Sequence, residues 1–144
     1  MTNFQAHYDQ LFQDLVAEYG KLDDLTLTGI IGFDAGGPVS LSCSEDRGIY
    51  VTCELSVYPE QVASAEGLNF ELLVRGWLNE SLSHALLTAL GDLSMSAKLG
   101  HGHTIDVSGV LPRHIGSVRL REYSRSSIGG RAYGIYEVVD ANGG

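Results

Sequence analysis

The chain has 144 residues, 44% of them hydrophobic and 19% charged, which fits one globular domain over 1–144 and lies far from the composition of disordered chains. Eighteen acidic residues against nine basic ones give a formal net charge of −9, which repels a polyanion, steers a basic partner inward, and takes nucleic acid off the list of expected ligands. No stretch approaches the roughly 18 apolar residues of a membrane helix, and Met1–Gln5 lacks the basic and apolar regions of a signal peptide, so a cytoplasmic protein that does not engage a membrane is expected.

The first element in chain order is an amphipathic helix. Phe4, Tyr8, Leu11, Phe12, Leu15 and Tyr19 recur in steps of three and four, with Thr2 or Asn3 to cap the start and Gly20 to end it. After Asp23-Asp24 the period becomes two, through Leu25, Leu27, Ile31 and Phe33, up to the turn cluster at 34–38.

The hairpin at 39–57 has the clearest alternation. Val39, Leu41 and Cys43 alternate with serines, and Ile49, Val51, Cys53, Leu55 and Val57 alternate with Tyr50, Thr52, Glu54 and Ser56 across the turn at 45–48. That parity predicts one apolar face and one solvated face, and it puts Cys43 and Cys53 in the core. A buried thiol in a reducing compartment packs as a small hydrophobe and does little redox chemistry. Residues 58–68, with Pro59, Gly67 and two glutamates, read as an exposed connection.

Asn69 to Arg75 is another strand, with Phe70, Leu72 and Val74 inward and Glu71 on the polar side. Trp77 leads into a second helix, capped by Asn79 or Ser81 and carrying Leu82, Leu86, Leu90 and Leu93 on one stripe; Gly91 within it costs about 1 kcal/mol relative to alanine. Three more strands follow, through His103, Ile105 and Val107, then Val118 and Leu120, then 132–139, with turns at 109–114 and 123–130 and an end that frays after Asp140. A crossover helix is missing after most strands. The expected fold is therefore α+β, an antiparallel or mixed sheet with two main helices packed on one face.

Chemistry is sparse along the chain. His101 and His103 in Gly100-His101-Gly102-His103 stand at i and i+2 on an extended segment and could offer two nitrogens to zinc or nickel. A third ligand is wanting, since Asp106 has the opposite parity and the pattern does not place His114. The segment follows a helix and precedes a strand, the reverse of a phosphate-binding turn. Ser81, Ser83 and His84 share a helix without a nucleophile-elbow sequence, and Glu54 with Glu71 read as the solvated face of a sheet. No catalytic residue and no cofactor is assigned. Arg113, Arg119, Arg121, Arg125 and Arg131 gather in the last third, leaving the first two-thirds strongly acidic.

The run Ile49–Arg75 (IYVTCELSVYPEQVASAEGLNFELLVR), then Trp77, the leucine-rich helix through Leu93, and Leu99-Gly100-His101-Gly102-His103-Thr104-Ile105 together resemble the suppressor-of-fused domain over about 45–140. That family is similar in a strand reading VTxGLS, an exposed loop, a strand reading ExxFR, a tryptophan before a helix with paired leucines, and a Gly-His turn into the next strand. Here Glu54 stands where the family commonly has glycine, and Val74 where it has phenylalanine. The resemblance implies an α+β protein-binding module without catalysis. A small acidic single domain suits the bacterial members, which are similar to immunity proteins that neutralise toxins.

The expected function is thus binding to another protein, a basic toxin domain among the candidates, through Tyr58, Glu60, Glu66 and Trp77, because loops carry recognition more often than cores do. Two alternatives stay open: a small metal-dependent enzyme or metal-binding protein using His101 and His103, and a structural subunit of a homo-oligomer.

Overall fold

A computed structural model describes residues 13, 23–25, 41–44, 48–52, 55–57, 61–112, 115–128 and 131–141. Four strands precede the helix and three follow it: β1 (Asp23–Leu25), β2 (Leu41–Ser44), β3 (Ile49–Thr52), a 3₁₀ turn (Leu55–Val57), β4 (Asn69–Arg75), α1 (Glu80–Ser94), β5 (Thr104–Asp106), β6 (Ser117–Ile128) and β7 (Arg131–Asp140). They form one seven-stranded sheet in the order β1-β2-β3-β4-β7-β6-β5. All neighbours pair antiparallel except β4 and β7, which run parallel, so the sheet is mixed.

The architecture is α+β, but one α-helix rather than two packs on the sheet among the described residues. The helix expected over 4–19 lies outside them apart from Gln13, which is helical and exposed. In α1 the Asn79 carboxamide oxygen caps the start by accepting from Leu82 N–H at 2.8 Å, and the helix runs through a buried Gly91 to Ser94. Its stripe packs on Phe70, Leu72, Val74, Val118, Leu120, Tyr136 and Val138. Leu86, Leu87 and Leu90 are almost wholly buried there, each worth roughly 1.5–3 kcal/mol of apolar transfer.

The hairpin forms with Ser44 opposite Ile49 and Cys43 opposite Tyr50. That register overturns the expectation of a single apolar face. Cys43 is buried on the face it shares with Tyr50, whereas Ile49 and Val51 face the other way, into a second cluster with Leu73, Tyr133 and Ile135. Cys53 and Glu54 lie outside the described residues, and the second strand stops at Thr52, short of the expected 57. β6 likewise runs to Ile128, through a bulge between Glu122 and Ser124, where a turn from Tyr123 onward is expected from sequence.

Because the sheet is buried on both faces at its centre, β4 has no solvated side. Phe70, Leu72 and Val74 face α1 as expected, but Glu71 is fully buried on the opposite face, contrary to its reading as exposed surface. Side chains bond backbone groups of β4 and β7 as well. The Thr52 hydroxyl accepts from Leu72 N–H at 2.8 Å, the Gln61 carboxamide pairs with both polar groups of Phe70, and Trp77 Nε1 donates to Val138 O at 3.0 Å. From Gln61 onward the connection before β4 is partly docked, with Gln61, Ser64 and Leu68 buried and Ala63, Ala65 and Gly67 exposed.

Candidate functional site

Among the described residues strand β5 is the last of the sheet on its side, and its three residues alternate exposed, half-buried, exposed. In an antiparallel ladder alternate residues turn their N–H and C=O toward the neighbouring strand. His103 O accepts from Leu120 N–H at 2.9 Å and Val107 N–H donates to Gly116 O at 2.8 Å, so Ile105 opposite Val118 bonds to β6. The backbone polar groups of Thr104 and Asp106 then point out of the sheet. Such an edge is a template for another strand.

Beside that edge lies a groove of about 310 Å³ between the second half of α1 and β5. Ala89, Leu93, Ile105 and Val110 line its apolar wall, and Asp92 and Asp106 contribute to its lining as well. Val110, 38% exposed, is the one large hydrophobic residue exposed among the described residues. Ser108 N–H donates to Asp106 Oδ1 at 2.9 Å and holds that carboxyl below the usual carboxylate range. Hydrogen-bonding edge, apolar wall and acidic side chains therefore adjoin one another.

The residues expected from sequence to form an interface are not brought together. Tyr58 and Glu60 lie outside the described residues. Glu66 precedes β4 and Trp77 follows it, so the strand's length, roughly 20 Å at ~3.3 Å per residue, separates them. Trp77 is half-buried against the α1 core, its N–H spent on Val138 O. Glu66 is tied inward too: its Oε1 accepts from Tyr136 Oη–H at 2.6 Å and from His101 N–H at 3.1 Å, and both bonds hold its carboxyl below the usual range. Burial and the neighbouring Glu66 carboxylate in turn push the Tyr136 phenol up to about 12.

His101 and His103 are both exposed, and His101 Nδ1 accepts from Glu122 N–H at 2.9 Å, so one of its nitrogens is committed to the turn that holds it. No group of three His, Cys, Asp or Glu is placed to hold a metal ion among the described residues. His114 lies outside them. Tyr136 also reaches Ser64 Oγ at 2.9 Å, so the Ser64–Glu66–Tyr136–His101 network fastens the 61–68 segment and the Gly-His turn to β7. No helix among the described residues is long and apolar enough to cross a membrane.

Neither Asp92, Val110 nor the open edge is a candidate on sequence grounds. The available signals were Asp92 and Leu93 beside each other on a helix and an apolar Val110 within a turn. Comparison with protein-family models and with curated proteins returns no match.

Proposed function

We propose that this domain is a non-enzymatic protein-binding module that takes a basic, partly apolar segment of another protein along β5. The observation that carries the reading is the edge at Thr104 and Asp106, unpaired among the described residues, adjoining an apolar groove with Asp92 and Asp106 beside it. Main-chain bonds supply affinity in such a mode, and alternate side chains supply specificity. The net charge of −9 favours a basic partner over an acidic one.

The resemblance to the suppressor-of-fused domain implies the same class of role. On this reading the protein acts in the cytoplasm as an immunity-type protein that neutralises a basic toxin, needs no cofactor, and binds no nucleic acid. Thr104→Pro is the sharpest test, because it removes an outward N–H while leaving the bonds to β6 in place. Co-expression with a toxin encoded beside this chain should rescue growth with the wild type and fail with Thr104→Pro. Equal rescue by both would move the binding face elsewhere, and no rescue by the wild type would sink the immunity reading.

A further inference from the structure

Independently of the β5 edge, we propose that Arg75, Arg119 and Arg121 form an anion site on the sheet face opposite α1, and that its ligand is a phosphate monoester group. Val118 and Leu120 point into the α1 core, so Arg119 and Arg121 alternate to the other side of β6. Arg75 shares its side of β4 with Leu73 of the second cluster. Glu137 joins the two strands, standing opposite Arg121 on one side and opposite Leu73 on the other.

The buried Glu137 carboxylate holds two guanidiniums side by side. It accepts from Arg75 Nε at 3.1 Å on one oxygen and from Arg75 Nη2 at 3.0 Å on the other, a bidentate pair. Arg121 Nη2 donates to that second oxygen as well. Two hydrogen bonds through one shared oxygen leave the two Nη2 atoms no more than about 6 Å apart. The Tyr123 ring, its centroid 5.2 Å from Arg75 Cζ, fixes the plane of one guanidinium. Yet the side chains of Arg75 and Arg121 are 41% and 52% exposed, so both stay open to solvent while pinned at one end.

Charge decides the class of ligand. Arg75 alone neutralises Glu137, Arg121 is surplus, and Arg119 adds a second surplus charge two residues along β6. No other carboxylate offsets them on this face among the described residues. Glu71 is committed to Thr52, Leu55 and Ser56, and Glu122 and Asp140 lie in register with Tyr136 and Val118 of the α1 side. Asp106 on β5 accepts from Ser108 N–H and makes no ion pair with Arg119. Two surplus charges match the roughly −1.5 to −2 of a phosphate monoester and exceed the charge of one carboxylate. Oxygens about 2.7–2.9 Å from each donor let one phosphate bridge nitrogens held that close together. The net charge of −9 opposes this weakly, because exposed charges more than about 8 Å away are largely screened at physiological salt.

Titration of the full chain with inorganic phosphate at pH 8 and constant ionic strength, followed by the ¹H–¹⁵N signals of the arginine side chains, tests the site. Saturable shifts at Arg75 and Arg121 are expected, with acetate binding about tenfold more weakly or worse. Arg121→Gln leaves the bidentate Arg75–Glu137 pair in place and should weaken phosphate by about tenfold or more. Arg125→Gln, which removes a cation paired with Glu122 instead, should leave the affinity unchanged. A wild type without saturable shifts, equal affinity in the wild type and Arg121→Gln, or acetate as tight as phosphate would each overturn the proposal. A phosphoserine peptide and a mononucleotide, titrated alongside, separate two sources of such a group. Tighter binding than inorganic phosphate by one of them, lost in Arg121→Gln, supports the site and identifies the source.

Discussion

Gln61 pairs with Phe70 as one strand residue pairs with another, its Nε2 donating to Phe70 O at 2.9 Å and its Oε1 accepting from Phe70 N–H at 3.0 Å. Both partners are buried, so truncation at Gln61 leaves two backbone groups without bonds or water. Gln61→Ala should cost about 2–4 kcal/mol in urea denaturation, at roughly 1–3 kcal/mol for each orphaned group. Gln61→Glu sets an acceptor against Phe70 O. Its cost should be larger at pH 8, where the new carboxylate is charged, than at pH 4.

Ser83 is the opposite case. It sits fully buried on α1, and its hydroxyl is the one buried side-chain polar atom without a hydrogen-bond partner among the described residues. Ser83→Ala removes an unsatisfied group and installs the best helix former, so stability should rise by about 0.5–1.5 kcal/mol. Calorimetry should register this as a Tm higher by roughly 2–5 °C for a chain of this size. A lower Tm would mean that the hydroxyl has a partner.

The contrast between these two residues shows where sequence patterns carry information. The α1 stripe is legible because Leu82, Leu86, Leu90 and Leu93 repeat at the helical period and Asn79 is a good cap, both local properties. Glu71 is not legible, because between Phe70 and Leu72 it looks like the polar side of a half-buried strand. Its burial follows from β4 lying between β3 and β7 with both faces covered, which only the assembled sheet decides. The hairpin was legible but its parity was not, for the same reason: alternation marks two strands, but the register that sends Ile49 and Cys43 to opposite faces is set across 45–48. The open edge at β5 is likewise a property of strand order. The Gly-His turn was visible as a motif, yet its role as an anchor for Glu66 depends on a contact 35 residues away.

Gly100 owes its identity to space, not to backbone angle. A Cβ placed there would stand 2.7 Å from Ala65 Cβ and 3.0 Å from Glu66 Oε1, while Ala65 N–H is pinned to Leu99 O at 2.8 Å and cannot retreat freely. Gly100→Ala should therefore cost about 1–3 kcal/mol, the usual range for overpacking. Ala65→Gly in that background removes the closest clash and should recover part of the loss. A double-mutant cycle on denaturation midpoints should show the two changes coupling favourably by about 0.5 kcal/mol or more. Strict additivity would mean that the 61–68 segment moves away as a unit.

Tyr136 supplies the pH dependence of the same contact. Its hydroxyl donates to Glu66 Oε1 and accepts from the Ser64 hydroxyl, and with His101 N–H it keeps the Glu66 carboxyl below the ordinary range. A lowered carboxyl contributes stability that is complete above its unfolded value, near 4.5, and is lost as pH falls through the folded one. Tyr136→Phe keeps the edge-to-face packing on Phe70, whose ring centroid lies 5.2 Å away, and removes only the hydroxyl. The variant should lose about 1–2 kcal/mol at pH 7, the worth of a charge-assisted hydrogen bond in a partly buried setting. As pH is lowered through the folded value of Glu66 the two proteins should draw closer together, because the wild type then loses the ionised Glu66 that its phenol was holding. A gap that stays constant down to acid unfolding would assign the cost to the Ser64 bond instead of to Glu66.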